Sequence, residues 1–140
     1  MGSDDPRQVE LLSRIREGVE AAISVVGEID AGLLDCSKQL RVDPSNETFT
    51  ALSAGVTNLG DLIALVEEIR KGVAHLVSLS VPEGVFSSLD KSTDLFREMQ
   101  AAMERKDWIS LADLIQYELS PILGEGKKEF AAVRDLLASG

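Results

Sequence analysis

The feature that most constrains this chain is an apolar stripe that runs through residues 12–40. Nine apolar residues follow one another there at alternating spacings of three and four: Leu12, Ile15, Val19, Ala22, Val26, Ile29, Leu33, Cys36 and Leu40. In an α-helix of 3.6 residues per turn, this spacing places all of them on one narrow face. Such a helix is stable only when other helices cover that face, so the stripe predicts a helical bundle.

Capping residues and proline set the predicted boundaries of two long helices. The first helix is predicted from Asp5, a good N-cap, to Leu40, shortly before Asp43-Pro44 interrupts the pattern. The second helix is predicted over Ser45–Leu79, where apolar residues keep the same spacing. The proline and glycine of Ser80–Gly84 predict a turn after it.

Two further helices are predicted in the second half of the chain. The third covers about Phe86–Arg105, and Lys106 ends it. Asp107 can cap the next helix, which starts at Trp108, so the connection between the two is predicted to be very tight. Apolar residues again recur every three or four positions in both segments, which predicts one buried face for each helix.

Pro121 predicts an irregularity in the fourth helix, because its nitrogen cannot donate a hydrogen bond to the carbonyl of Tyr117. We expect a kink or break between Ser120 and Gly126, with the helix resuming over Lys127–Ala138. Short connections between long helices force antiparallel neighbours. The sequence therefore predicts one all-α domain over residues 1–140, an elongated antiparallel up-down-up-down four-helix bundle whose last helix is kinked or broken near Pro121.

Charge excludes several classes of partner. The chain has 14 basic and 24 acidic residues, and its formal net charge is −10. Nucleic acids and anionic membranes are poor partners for such a surface, because both require clustered Lys and Arg. No uncharged stretch is long enough for a membrane span, and the polar N-terminal residues lack the pattern of a secretion signal. We expect a cytoplasmic protein with a protein partner.

The chemistry-bearing residues are few. Cys36 lies on the apolar stripe, where a cysteine usually acts as a small core residue rather than as a redox or metal-binding group. His75, the only histidine, suggests a histidine phosphotransfer domain, which is also a helical bundle. The lysine and glycine that follow the histidine in those domains are absent here. A di-iron site fails because Gly72 stands where a glutamate is needed, so we expect no catalytic site, metal or cofactor.

Two features of the predicted helices are compatible with a binding role. Glycine lies inside them at several positions, where it serves either close helix packing or opening around a partner: Gly18, Gly27, Gly32, Gly55, Gly60 and Gly72. From Val42 to Ile69 there is no Lys or Arg, and the outer face of the second helix is small and neutral: Thr50, Ser53, Thr57 and Asn58. Such a face is usually solvated, but it can also dock another helix.

The most distinctive stretch is Asp107–Pro121, DWISLADLIQYELSP, which holds the only Trp and the only Tyr of the chain. It resembles a segment of small uncharacterised bacterial helical proteins, and also flagellar and secretion chaperones. That resemblance implies a non-enzymatic, chaperone-like interaction module that binds an amphipathic helix of a partner. We expect the binding residues to be Trp108, Asp113, Tyr117 and Glu118. A homodimer is one way to bury an uncovered end of the bundle, and phosphotransfer through His75 is the alternative function.

Overall fold

The computed structural model describes residues 6–76 and 86–139, and every element of regular structure in these ranges is helical. The elements are α1 (Pro6–Val42), α2 (Asn46–Ala74), α3 (Ser87–Asp90), α4 (Ser92–Glu104), α5 (Trp108–Asp113), a π-helical segment (Leu114–Leu119) and α6 (Ser120–Ser139). The last three follow one another without interruption and form one rod. With α3 and α4 as the third rod, the predicted all-α four-helix bundle is confirmed. The predicted cap at Asp5 and turn at Ser80–Gly84 lie outside the described residues.

Helix α1 is the centre of the fold, as its apolar stripe predicts. Eight of the nine stripe positions, from Ile15 to Leu40, are buried, and Leu12 is partly buried against the same core. Helices α2, α5 and α6 and the π-helical segment all contact α1. With 37 residues, α1 is about 55 Å long, so the bundle is elongated.

Hydrogen bonds between distant residues fix the direction of the rods. Gln8 Nε2 donates to the His75 carbonyl at 3.1 Å, which places the first turns of α1 beside the end of α2. Arg16 Nη2 donates to the Leu137 carbonyl at 2.6 Å, which places the same end of α1 beside the end of α6. Helix α1 is therefore antiparallel to both neighbours, as in an up-down-up-down bundle.

The third rod differs from its prediction. A single helix was expected over Phe86–Arg105, but the structure divides it into α3 and α4 with Lys91 between them. The N–H of Lys91 donates to the Ser88 carbonyl at 3.3 Å, a tighter turn than that of an α-helix. The buried Ser92 hydroxyl donates to the Leu89 carbonyl, a side-chain to backbone bond at the division between the two helices.

The predicted tight connection between α4 and α5 is confirmed. The Asp107 N–H donates to the Ala102 carbonyl at 2.9 Å and the Lys106 N–H to the Met103 carbonyl at 3.1 Å, the two bonds of a Schellman motif. Lys106 occupies the left-handed position of this motif, with φ 57°, where glycine is usual. The Asp107 carboxylate then accepts a hydrogen bond from the Ser110 N–H at 3.2 Å and caps α5.

The irregularity near Pro121 is present, but it lies before the proline and is not a break. Helix α6 continues through Ser120–Gly126, so the predicted alternative of a break there is wrong. The disturbance is the π-helical segment, in which the Ser120 N–H donates to the carbonyl of Ile115, five residues back. This wider turn makes room for the prolyl ring, which would clash with the Tyr117 carbonyl in an α-helical turn.

Candidate functional site

The single cysteine is a core residue. Cys36 is buried, and its Sγ lies 4.0 Å from the Thr48 carbonyl oxygen. Burial raises the pKa of the Cys36 thiol, and the neighbouring Asp35 carboxylate raises it further. A buried thiol that keeps its proton is a poor nucleophile and a poor metal ligand. The prediction that Cys36 packs as a small apolar residue is confirmed.

Helix α2 ends at Ala74 and His75 is its C-cap residue. His75 therefore lies at a helix end and not, as the predicted range Ser45–Leu79 implies, inside a helix. Its exposed side chain borders a hollow that Arg14 and Lys71 also line. These cations already pair with carboxylates, Arg14 with Glu10 at 2.8 Å and Lys71 with Glu68 at 3.7 Å. In the described ranges, no three His, Cys, Asp or Glu side chains lie together as a metal-binding group. Phosphotransfer through His75 stays a prediction.

One exposed patch includes two of the predicted binding residues. Arg41 Nη2 pairs with Asp113 Oδ1 at 2.7 Å, and the Arg41 guanidinium lies 5.8 Å from the centroid of the Tyr117 ring. Tyr117 is 65% exposed, Val42 beside Arg41 is 86% exposed, and Ile109, one turn before Asp113, is 52% exposed. We call these five residues the Tyr117 patch. Exposed Tyr and Arg side chains among apolar residues are typical of binding surfaces.

The other two predicted binding residues, Trp108 and Glu118, lie outside the Tyr117 patch. The Trp108 ring is half-buried and packs on the Phe49 ring of α2, with centroids 4.8 Å apart. Trp108 therefore ties α5 to α2. Glu118 is exposed, and the structure records no hydrogen bond or ion pair for it in the described part of the chain. The sequence did not reveal that Arg41 joins the patch, because Arg41 comes from the distant end of α1.

A groove of about 520 Å³ is lined by residues of α1 and α2. Its walls are small or aliphatic except for two carboxylates and one amide. We call the groove, with the residues that line it, the α2 groove: Val25, Glu28, Ile29 and Gly32 of α1, and Ala51, Ala54, Gly55, Asn58 and Asp61 of α2. A neighbouring hollow shares Ala54 and Asn58 and extends to Phe49, which contacts Trp108. This second hollow is shallow, so the outer face of α2 borders one groove, the one against α1.

Two glycines of α2 allow the close approach of α1. A Cβ atom at Gly55 would lie 2.6 Å from Cδ2 of Leu33, and one at Gly72 would lie 3.0 Å from Cγ1 of Ile15. Leu33 and Ile15 are both buried residues of the apolar stripe and have little room to move. For these two positions, the packing interpretation of the helix glycines is confirmed.

Two other helix glycines have no such reason. A Cβ atom at Gly32 or at Gly60 would meet nothing within 4 Å. Glycine inside a helix is less stable than alanine by roughly 0.5–1 kcal/mol, and no contact within the described residues offsets that difference here. Gly32 lines the α2 groove. Both positions leave the helix backbone accessible from outside.

Helix α2 is also unusually apolar for a helix with this much exposure. By length and composition alone it is apolar enough to cross a membrane, and only 22% of the 18-residue window that meets this criterion is buried. The large apolar residues of α2 are nonetheless buried or packed against the core, and the exposed face from Thr50 to Ala64 has only small side chains apart from Asp61. The open part of α2 is therefore small and weakly charged, unlike the charged outer face common on surface helices.

Comparison with known proteins gives a family but no activity. No curated protein and no solved structure shows a significant match to this chain. One family model matches residues 17–129, a range that includes the α2 groove, His75 and the Tyr117 patch. Because the match covers most of the sequence, the chain belongs to the family described as Domain of unknown function (DUF8042).

Proposed function

We propose that this protein is a non-enzymatic, chaperone-like interaction module that binds an amphipathic helix of a partner protein in the α2 groove. The observation that carries the proposal is the outer face of α2, which is exposed, is made mostly of small residues, and has no Lys or Arg up to Ile69. Only 22% of the most apolar 18 residues of this helix are buried, and the face adjoins a groove against α1. A small, weakly charged face beside a groove is a surface on which another helix can dock.

The shape of the groove favours a helix as the bound element. The long helices α1 and α2 form its two sides, and its lining includes the small residues Gly32, Gly55 and Ala54. Packed helices lie roughly 8–10 Å apart, and the smallest distances require small side chains at the contact. A third helix can therefore lie along this groove with its apolar face inward, which is the helix-in-groove mode of recognition.

The predicted binding stretch contributes one aromatic residue, Trp108, beside the hollow that adjoins the α2 groove. Phe49 lines the hollow beside the groove and packs on Trp108. Tyr117 is exposed in the π-helical segment, and the half-buried Arg41 guanidinium lies 5.8 Å from its ring centroid. Large amphipathic side chains contribute strongly to interface energies, so an end of the bound helix that reached this region would gain affinity.

Photo-crosslinking in the producing cells tests the proposal. An aliphatic diazirine amino acid is placed at Ala51 or Asn58, which are exposed and line the α2 groove, and at Gln100 of α4 as a control. We expect adducts from both α2 positions with a helical segment of one partner protein, identified by mass spectrometry, and none from Gln100. A second substitution, Ala54→Trp, should fill the groove and abolish the adduct.

The matched control for that substitution is Ala138→Trp, at an exposed alanine of α6. It should leave the adduct intact, and circular dichroism should show the same helix content for both tryptophan variants. The proposal is overturned if neither α2 position gives an adduct. It is also overturned if Gln100 gives the same adduct, or if Ala54→Trp and Ala138→Trp affect it equally.

A further inference from the structure

The charged residues of the α2 groove are all acidic. Glu28 of α1 and Asp61 of α2 line it from opposite walls, and no Lys or Arg is among its lining residues. Across the longer stretch from Val42 to Ile69, no basic residue occurs at all. The structure records no hydrogen bond or ion pair for Glu28 or Asp61 in the described ranges. Both carboxylates therefore face the groove without a cation of their own.

This charge distribution restricts what can lie in the groove. A helix that covers the groove takes Glu28 and Asp61 partly out of water, which is unfavourable unless each carboxylate gains a partner. A neutral helix supplies no such partner, and an acidic helix adds repulsion. A helix with Lys or Arg beside its apolar face supplies one cation to each wall.

We propose that the α2 groove selects a basic amphipathic helix, whose small or aliphatic residues enter the groove and whose flanking Lys or Arg residues meet Glu28 and Asp61. This inference rests on the proposed function and specifies the chemistry of the partner. The net charge of −10 acts in the same direction, because it steers a basic segment toward the protein before contact.

Two other occupants fit the charges less well. A second copy of this chain would place the Glu28 and Asp61 carboxylates of both copies against one another. A lipid bilayer fits the apolar composition of α2, but Asp61 lies near the middle of that helix and anionic head groups would be repelled. Helix α2 also has no Trp or Tyr that could anchor it at a membrane interface.

Binding of three synthetic helices to the full chain tests the proposal. The peptides share one Ala/Leu/Ser apolar face and differ only in their flanking residues, which are Lys, Gln or Glu. Fluorescence anisotropy should show that the Lys peptide binds most tightly and that its affinity falls as salt is raised. The Gln and Glu peptides should bind at least tenfold more weakly.

Charge variants locate the effect in the groove. Glu28→Gln combined with Asp61→Asn should weaken binding of the Lys peptide about three- to tenfold, as expected for loss of two partly exposed ion pairs. Glu98→Gln combined with Glu104→Gln, on the exposed face of α4, removes the same net charge and should change the affinity less than twofold. Equal loss in both pairs would overturn the proposal, since attraction would then come from net charge alone.

The remaining outcomes separate this inference from the proposed function. If the three peptides bind equally and Ala54→Trp abolishes binding of all of them, the groove binds helices without charge selection, and only this inference fails. If no peptide binds and the α2 crosslinks are also absent, both fail. Binding to lipid vesicles in place of the Lys peptide would also overturn the inference, as would a stable dimer in sedimentation analysis that protects a cysteine introduced at Asn58 from labelling.

Discussion

Replacing Gly55 by alanine gives the sharpest test of how α1 and α2 pack. The new methyl group would lie 2.6 Å from Leu33 Cδ2 and 3.1 Å from Leu33 Cγ, and Leu33 is fully buried. Overpacking of this kind costs about 1–3 kcal/mol, and the higher helix propensity of alanine returns about 0.5–1 kcal/mol. We expect Gly55→Ala to lower the free energy of unfolding by about 0.5–2 kcal/mol and Tm by roughly 2–6 °C.

Gly60→Ala is the matched control on the same helix. Nothing lies within 4 Å of its new methyl group, so only the propensity gain remains. We expect the free energy of unfolding to rise by about 0.5–1 kcal/mol. Urea denaturation followed by circular dichroism measures both variants. Two changes of the same sign would refute the reasoning, because a new methyl group meets Leu33 at position 55 and no atom within 4 Å at position 60.

Four further predictions concern single positions. Lys106→Gly should raise the free energy of unfolding by about 0.5–1 kcal/mol, measured by urea denaturation, because it relieves the left-handed conformation with φ 57°. The hydroxyl and N–H of Ser110 hold the pKa of Asp107 below its ordinary value. Asp107→Ala should therefore be less stable than the native chain above about pH 4, and the difference in the free energy of unfolding should vanish as the pH falls through the lowered pKa, measured by urea denaturation at several pH values. Cys36 should resist thiol reagents in the native chain and react after unfolding in urea, because it is buried. Acetyl phosphate should label His75, with loss of the label in His75→Asn, if the phosphotransfer alternative is correct; absence of label removes it.

The sequence predicted the parts of the fold that depend on local pattern. The stripe of α1 needed only the spacing of apolar residues, and eight of its nine positions are buried. The cap at Asp107 needed only a carboxylate at the right distance before an apolar run. Both features are encoded within a few neighbouring residues, which is why they could be read without coordinates.

The missed features depend on contacts between distant segments or on small free-energy differences. The division at Lys91 coincides with a buried hydroxyl at Ser92, whose burial the sequence does not reveal. Pro121 correctly indicated an irregularity in the helix, but a π-helical turn and a break can both relieve the same clash. The π-helical segment packs against α1, a contact between distant segments that the local pattern does not contain.

The candidate site was only partly visible in the sequence. The small, neutral face of α2 and its lack of basic residues were predicted, because they belong to one continuous segment. Glu28 and Gly32 were not connected with it, since they come from the opposite wall of the groove on α1. The placement of Trp108 against Phe49 likewise required the structure. A site between two helices becomes apparent only once their register is known.

The central claim is that the outer face of α2 is open in the free protein and covered when a partner helix binds. Asn58→Cys places one exposed thiol on that face and in the α2 groove, while the native Cys36 is buried. We predict that a maleimide labels Cys at position 58 as fast as it labels a free thiol, and that the Lys peptide slows this labelling in proportion to its occupancy. Protection in the free protein, or labelling that bound peptide leaves unchanged, would contradict the account.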